Sequence, residues 1–236
     1  MLFHKSAYPQ GMIVSFLCQK GGVGKSTLSI NVAAALARSS RVLLIDADEQ
    51  GSAASWASLR EETPFRVIGM ARDNMARDAI QMASDYTHTV IDGPPRAQKI
   101  ARGVIIASDM VLVPIEPSGL SMWAASETVA QIQEAQSIKP NLKCGFVVSR
   151  KIGHTVIGRE IRDLAAREGF PILQAEIHQR VPFAESLTLG QTIFEYAPDS
   201  AASREIEALL TEIKAWMTPN GKTKIQRSAK ASRADG

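Results

Sequence analysis

CQKGGVGKST, residues 18–27, decides how the rest of the chain is read. It follows an apolar run, MIVSFLC (12–18), and opens a helix-forming run, STLSINVAAALARSS (26–40). A phosphate-binding loop is ordinarily Gly, four residues, then Gly-Lys-Ser/Thr. Counting back from Gly24-Lys25-Ser26, position 19 holds Gln19 instead of glycine, and an extra lysine, Lys20, precedes the double glycine. The loop chemistry is still complete. Gly21, Gly22 and Gly24 let the backbone curl so that successive N–H groups point at a phosphate. The helix that starts near Lys25 adds its positive dipole end. Lys25 reaches the β and γ phosphates, and the Ser26 hydroxyl is a ligand for Mg²⁺.

Outward from the loop, short apolar runs alternate with helical patterns. RVLLID (41–46), HTVID (88–92), MVLVPI (110–115) and CGFVVS (144–149) read as strands. Helical periodicity marks 75–86, 121–138, 156–169 and 200–217. This alternation predicts an α/β fold: a single doubly wound, mostly parallel sheet with helices on both faces. Ligands in such sheets bind at the carboxyl ends of the strands. Gly21, Asp46, Asp92 and Pro114 all fall at or just past such ends.

The totals bound the rest. A chain of 236 residues holds one large α/β domain, expected over 1–218. Composition is that of a soluble protein, 45% hydrophobic and 22% charged. No apolar run spans a membrane and the start lacks a secretory core, so the cytoplasm is expected. Cys18 and Cys144 read as buried reduced thiols, since neither has metal-ligand spacing. Net charge is +3, but residues 219–236 carry five basic residues against one acidic. That segment reads as a disordered basic tail suited to nucleic acid or an anionic surface.

A phosphate loop needs carboxylates to manage a metal. VLLIDADEQGS (42–52) and HTVIDGPP (88–95) each end an apolar strand with aspartate, giving Asp46, Asp48 and Asp92 in the right order. The four histidines form no cluster, and His178 beside Gln179-Arg180 reads as structural.

Together QKGGVGKST, VLLIDADEQGSAASW and TVIDGPP resemble the deviant Walker A ATPases of the MinD/ParA superfamily, above all the ParA/ParF-type plasmid partition ATPases. The resemblance runs from about Met12 to about Trp216. In that family the loop is KGGxGKS/T, so Gln19 is no defect. The resemblance implies that Lys20 crosses to the nucleotide of a second subunit, as an arginine finger does. It implies ATP and Mg²⁺ as cofactors. Gly21, Gly22, Val23, Gly24, Lys25, Ser26 and Thr27 would hold the nucleotide, and Pro198, in Tyr196-Ala197-Pro198, would contact adenine. Ser26, Asp46 and Asp92 would serve the metal. Lys20, Lys25 and Asp48 would be catalytic, with Asp48 positioning the attacking water. The family usually has proline after that second aspartate, where this chain has Glu49.

The function so implied is ATP-dependent partition of DNA. An ATP-bound homodimer would hold non-specific DNA in the nucleoid, and a ParB/ParG-like centromere-binding adaptor would stimulate hydrolysis and release. Arg150, Lys151, Lys214 and the tail are candidate DNA contacts. The alternative is a MinD-like positioning ATPase at a membrane or protein scaffold. Its amphipathic membrane helix is not matched by the end of this chain, where Ile225 is the single large apolar residue. No membrane partner is therefore expected. An iron–sulfur relative would need paired cluster cysteines, and a bacterial tyrosine kinase a Tyr-rich tail; neither pattern is present.

Overall fold

In the computed structural model, residues 11–117, 119–153, 165 and 167–217 are described. Seven strands form one sheet in the order β3-β2-β4-β1-β5-β6-β7. They are β1 (Met12–Phe16), β2 (Val42–Asp46), β3 (Arg66–Gly69), β4 (His88–Asp92), β5 (Met110–Ile115), β6 (Lys143–Lys151) and β7 (Ile172–His178). Each of the six strand pairings is parallel. The central strands β1, β2, β4 and β5 are buried along their whole length. That is why they read as mainly apolar runs without alternation, with Ser15 in β1 and His88 and Thr89 in β4 among the buried polar exceptions: a parallel strand covered on both faces has no solvent side to show.

The helices are α1 (Lys25–Ala37), α2 (Ser52–Ser58), α3 (Met75–Ala83), α4 (Gln98–Ala107), α5 (Gly119–Ile138), α6 (Val181–Thr188), α7 (Ile193–Tyr196) and α8 (Ala201–Met217). One face of the sheet sends Val14, Leu44, Val90 and Leu112 into a cluster with α1, Trp56 of α2 and Ile206, Leu209 and Ile213 of α8. The opposite face packs on α3, α4 and α5 through Leu43, Ile45, Ile91, Val111 and Val113. Alternate residues of β2 and β5 thus enter different cores, which is the period of two that a two-faced strand imposes. Helix α1 is buried without a break from Leu28 to Leu36, so it has no solvent face to give it amphipathic spacing.

Several elements were not anticipated. β3 is a four-residue edge strand with its ends exposed, and β7 is the other edge. The two short helices α6 and α7 and the helices α2 and α4 are also additional to the expected pattern. The expected helix 156–169 lies outside the described residues for most of its length, as do all residues of the basic tail 219–236. No helix among the described residues is long and apolar enough to cross a membrane.

Candidate nucleotide site

Strand order places the loop. β1 lies in the middle of the sheet, with β4 on one side and β5 on the other. The chain leaves β1 toward β2 and later returns to the other side at β5, so the crossover direction reverses beside β1. This is the switch point at which doubly wound sheets bind ligands. Phe16 and Asp92 are register partners across β1 and β4, and Asp46 and Asp92 across β2 and β4. The loop and two carboxylates therefore start from one row of the sheet.

Gly24 makes the turn into α1. Its φ is 90°, in the left-handed region, and an added Cβ would meet the Ser149 hydroxyl oxygen at 2.8 Å. Both the backbone angle and the close approach of β6 require glycine there. Gly93, just after Asp92, is as constrained: its N–H donates to the Phe16 carbonyl at 2.9 Å, and a Cβ would sit 2.7 Å from that oxygen. The Gln19 amide donates to Thr128 Oγ1 at 3.3 Å, tying the start of the loop to α5. Val23 is buried, while Gly21 and Gly22 are exposed.

Lys25 is buried, and its ammonium donates to the Lys20 carbonyl at 3.1 Å. Burial pulls its pKa down, against the charges of Asp92 and Asp48, which favour the ammonium. Asp92 is fully buried. The Ser29 hydroxyl donates to its Oδ1 at 3.3 Å, whereas Oδ2 makes no hydrogen bond. Burial raises the Asp92 pKa to about 7, opposed by the Ser26 hydroxyl, Lys25 and Ser29 and reinforced by Asp46. An orphaned carboxylate oxygen in a buried site is expensive unless something outside the protein completes it. A hydroxyl and a carboxylate are also the hard donors that Mg²⁺ takes when phosphates and water fill the rest of its shell. The residues present fit that ion.

Asp46 behaves differently. Its Oδ1 accepts from the Asp48 amide at 3.1 Å and its Oδ2 from the Ala54 amide at 2.9 Å. Both oxygens are used to brace the segment that carries Asp48. Burial raises its pKa, against these backbone donors. Asp48 itself is half-buried; its Oδ1 accepts from the Gln50 amide at 3.0 Å, and Glu49 beside it is exposed.

Lys20 and Pro198 complete the expected residues. Lys20 is turned onto its own chain, 2.5 Å from Glu116 at the end of β5. Pro198 is not brought to the loop. It lines a cavity of about 500 Å³ with Ala34, Arg38 and Phe194, at the last turn of α1. That turn is about 15–20 Å along the helix axis from Lys25. Of the candidate DNA contacts, Arg150 donates to the Gly22 carbonyl and Lys151 pairs with Glu176. His178 pairs with Glu205, which also holds Arg180, so the three form a structural cluster joining β7 to α8. Ser29 and Glu116 were not among the expected residues, and Arg150 was expected only as a DNA contact.

Residues 14–193 match the family of the CobQ/CobB/MinD/ParA nucleotide binding domain. The chain belongs to that family. It is 31% identical over 206 residues to the maintenance of carboxysome distribution protein A of Gloeobacter kilaueensis, spanning 86% of this chain and 91% of that protein. It is 28% identical over 231 residues to the chromosome-partitioning ATPase Soj of Thermus thermophilus, spanning 84% of this chain and 93% of the relative. The fold superposes on that of the septum site-determining protein MinD of Pyrococcus horikoshii, solved with Mg-ADP, with a TM-score of 0.71. That match has 18% identity and covers 86% of this chain and 96% of the other. The seven-stranded parallel sheet is thus the MinD/ParA fold.

Proposed function

We propose that this member of the MinD/ParA family is an Mg²⁺-dependent ATPase that partitions DNA. Its ATP-bound homodimer holds non-specific DNA, and a centromere-binding adaptor stimulates the hydrolysis that releases it. The observation that carries the enzymatic half is the buried Asp92 oxygen without a partner, set beside Lys25 at the start of α1. Bound Mg²⁺ supplies charge neutralisation of the phosphate oxygens. The chain's own residues do the rest. The loop amides and Lys25 orient the phosphates, and burial keeps water away from the Lys25 charge so that it acts at full strength. Asp46 holds the Asp48 segment in place, and Asp48 orients the attacking water. Lys20 acts on the nucleotide of the second copy.

The likeness to Soj supports DNA as cargo. The likeness to the carboxysome distribution protein favours a second reading, in which the same ATP-gated dimer distributes another large cargo. The two share the DNA-binding step, which is the one to test first. Random-sequence duplex DNA is expected to bind with ATP and not with ADP. That binding should fall by about 10³-fold or more between 50 mM and 200 mM salt if six or more phosphates are contacted. Absence of binding in both nucleotide states, with retention on anionic liposomes, would replace both readings by a membrane-positioning one.

Lys20→Gln gives a second expected result. Nucleotide affinity, set by the loop and Lys25, should stay within about two-fold, while stimulated turnover falls by about two orders of magnitude or more. Equilibrium binding of a fluorescent ATP analogue and phosphate release separate the two quantities. Normal stimulated turnover would remove Lys20 from the reaction.

A further inference from the structure

The loop is held by a charge cluster that the nucleotide chemistry does not need. Glu116 stands just past the end of β5, its side chain 21% exposed. Its Oε2 lies 2.5 Å from Lys20 Nζ, and its Oε1 lies 3.7 Å from Arg150 Nε. Arg150 in turn donates from Nη1 to the carbonyl of Gly22, inside the phosphate loop. Its φ is 53°, a left-handed conformation that a non-glycine residue keeps only where its surroundings hold it there. One carboxylate therefore anchors two cations on either side of the loop, one on the residue before the double glycine and one at the end of β6.

We propose that Glu116 is a latch that holds Lys20 on its own subunit in the nucleotide-free chain. Release of Lys20 from Glu116 is then a required step before Lys20 can reach another subunit's nucleotide. Glu116 is a positioning residue: it acts through Lys20 and restrains basal turnover until a second copy docks. Two cations sharing one carboxylate make the release feasible. When Lys20 leaves, Arg150 remains to pair with Glu116, so no unpaired anion is left at the rim. The inference rests on the reading of Lys20 as a residue that acts across a dimer.

Glu116→Gln tests it. Basal ATP turnover is expected to rise about three- to five-fold, the range that a partly exposed ion pair can restrain. ATP affinity should not change, and ATP-dependent dimers should form at lower protein concentration. In a Lys20→Gln background the same substitution should have no effect. Glu116→Asp, which keeps the charge, should restore part of the restraint. Unchanged turnover, a rise matched by tighter ATP binding, or a rise that persists without Lys20 would each overturn the latch. A readout independent of ATP distinguishes failure of the latch from failure of the ATPase reading. In nucleotide-free protein, acylation of Lys20 relative to Lys99, whose side chain is 82% exposed and meets Asp73 at 3.5 Å in a far more solvent-exposed pair, should increase in Glu116→Gln. Should that variant not fold, the wild-type ratio should rise as salt goes from about 50 mM to about 500 mM, because screening weakens the pair. A ratio that stays flat would also overturn it.

Discussion

Replacing Asp92 with asparagine should make the nucleotide-free protein more stable while abolishing Mg²⁺-dependent ATP turnover. Asp92 is fully buried with one oxygen unpartnered, and its pKa is raised from 3.8 to about 7, chiefly by burial. The folded value is above the unfolded one, so between these limits the native state keeps a proton that the unfolded chain has lost. The associated stability is present below about pH 4 and is lost as pH rises through about 7. At pH 8 the cost is of the order of 2–4 kcal/mol. Asparagine has the same shape and no charge to desolvate, and its amide still pairs with Ser29. Thermal melts without Mg²⁺ should show the variant several degrees above wild type at pH 8, with a smaller gap at pH 5. Equal melting temperatures at pH 8 would mean that the buried charge is compensated in a way this geometry does not contain. On the proposed reading, turnover should drop by about two orders of magnitude or more, because the oxygen that would face Mg²⁺ is gone.

How much of this was legible in the sequence follows from where each signal lives. Asp46 and Asp92 were legible because each closes a short buried strand with the carboxylate itself, after VLLI in one case and after the apolar pair Val90-Ile91 in the other. The loop was legible because its glycines, lysine and serine are contiguous. β3 was not: RVIG is four residues long, with Arg66 and Gly69 exposed, and too short to show alternation. α4 was hidden by its own composition, since Val104, Ile105 and Ile106 are strand-forming residues, and it is the packing of Val104 and Ile105 that holds them in a helix. Glu116 could not be found by pattern, because its partner Lys20 is 96 positions away and nothing local marks the pair. Ser29 failed for a related reason: a serine one turn into a helix looks neutral until β4 is placed beside it. Asp46 shows the opposite limit. Its position was legible, but its work in bracing the Asp48 and Ala54 amides depends on the path of the chain after β2.

That brace sets up the second large effect. Asp48→Ala should leave ATP bound and slow its hydrolysis by about two to three orders of magnitude, the range associated with losing a group that orients or deprotonates the nucleophile. The loop should survive the substitution. The backbone N–H at position 48 still donates to Asp46, and Ala54 still anchors the far end; only the contact from the Gln50 amide is lost. The charge of Asp48 acts on Lys25, so it stands within electrostatic range of the phosphate end of the site. With turnover blocked after dimer closure, the ATP-bound dimer should accumulate and DNA should stay bound through many wild-type turnover times. On the proposed reading, Lys20→Gln should slow turnover too, but by preventing the second subunit from being engaged, so it should lose DNA rather than retain it. Single-turnover phosphate release alongside DNA dissociation reads both variants. Two proteins equally slow in hydrolysis but opposite in DNA retention would assign Asp48 to the water and Lys20 to closure. Rapid DNA release from Asp48→Ala would show that hydrolysis does not gate the dimer, and the coupling between the two halves of the proposed cycle would have to be placed elsewhere in the chain.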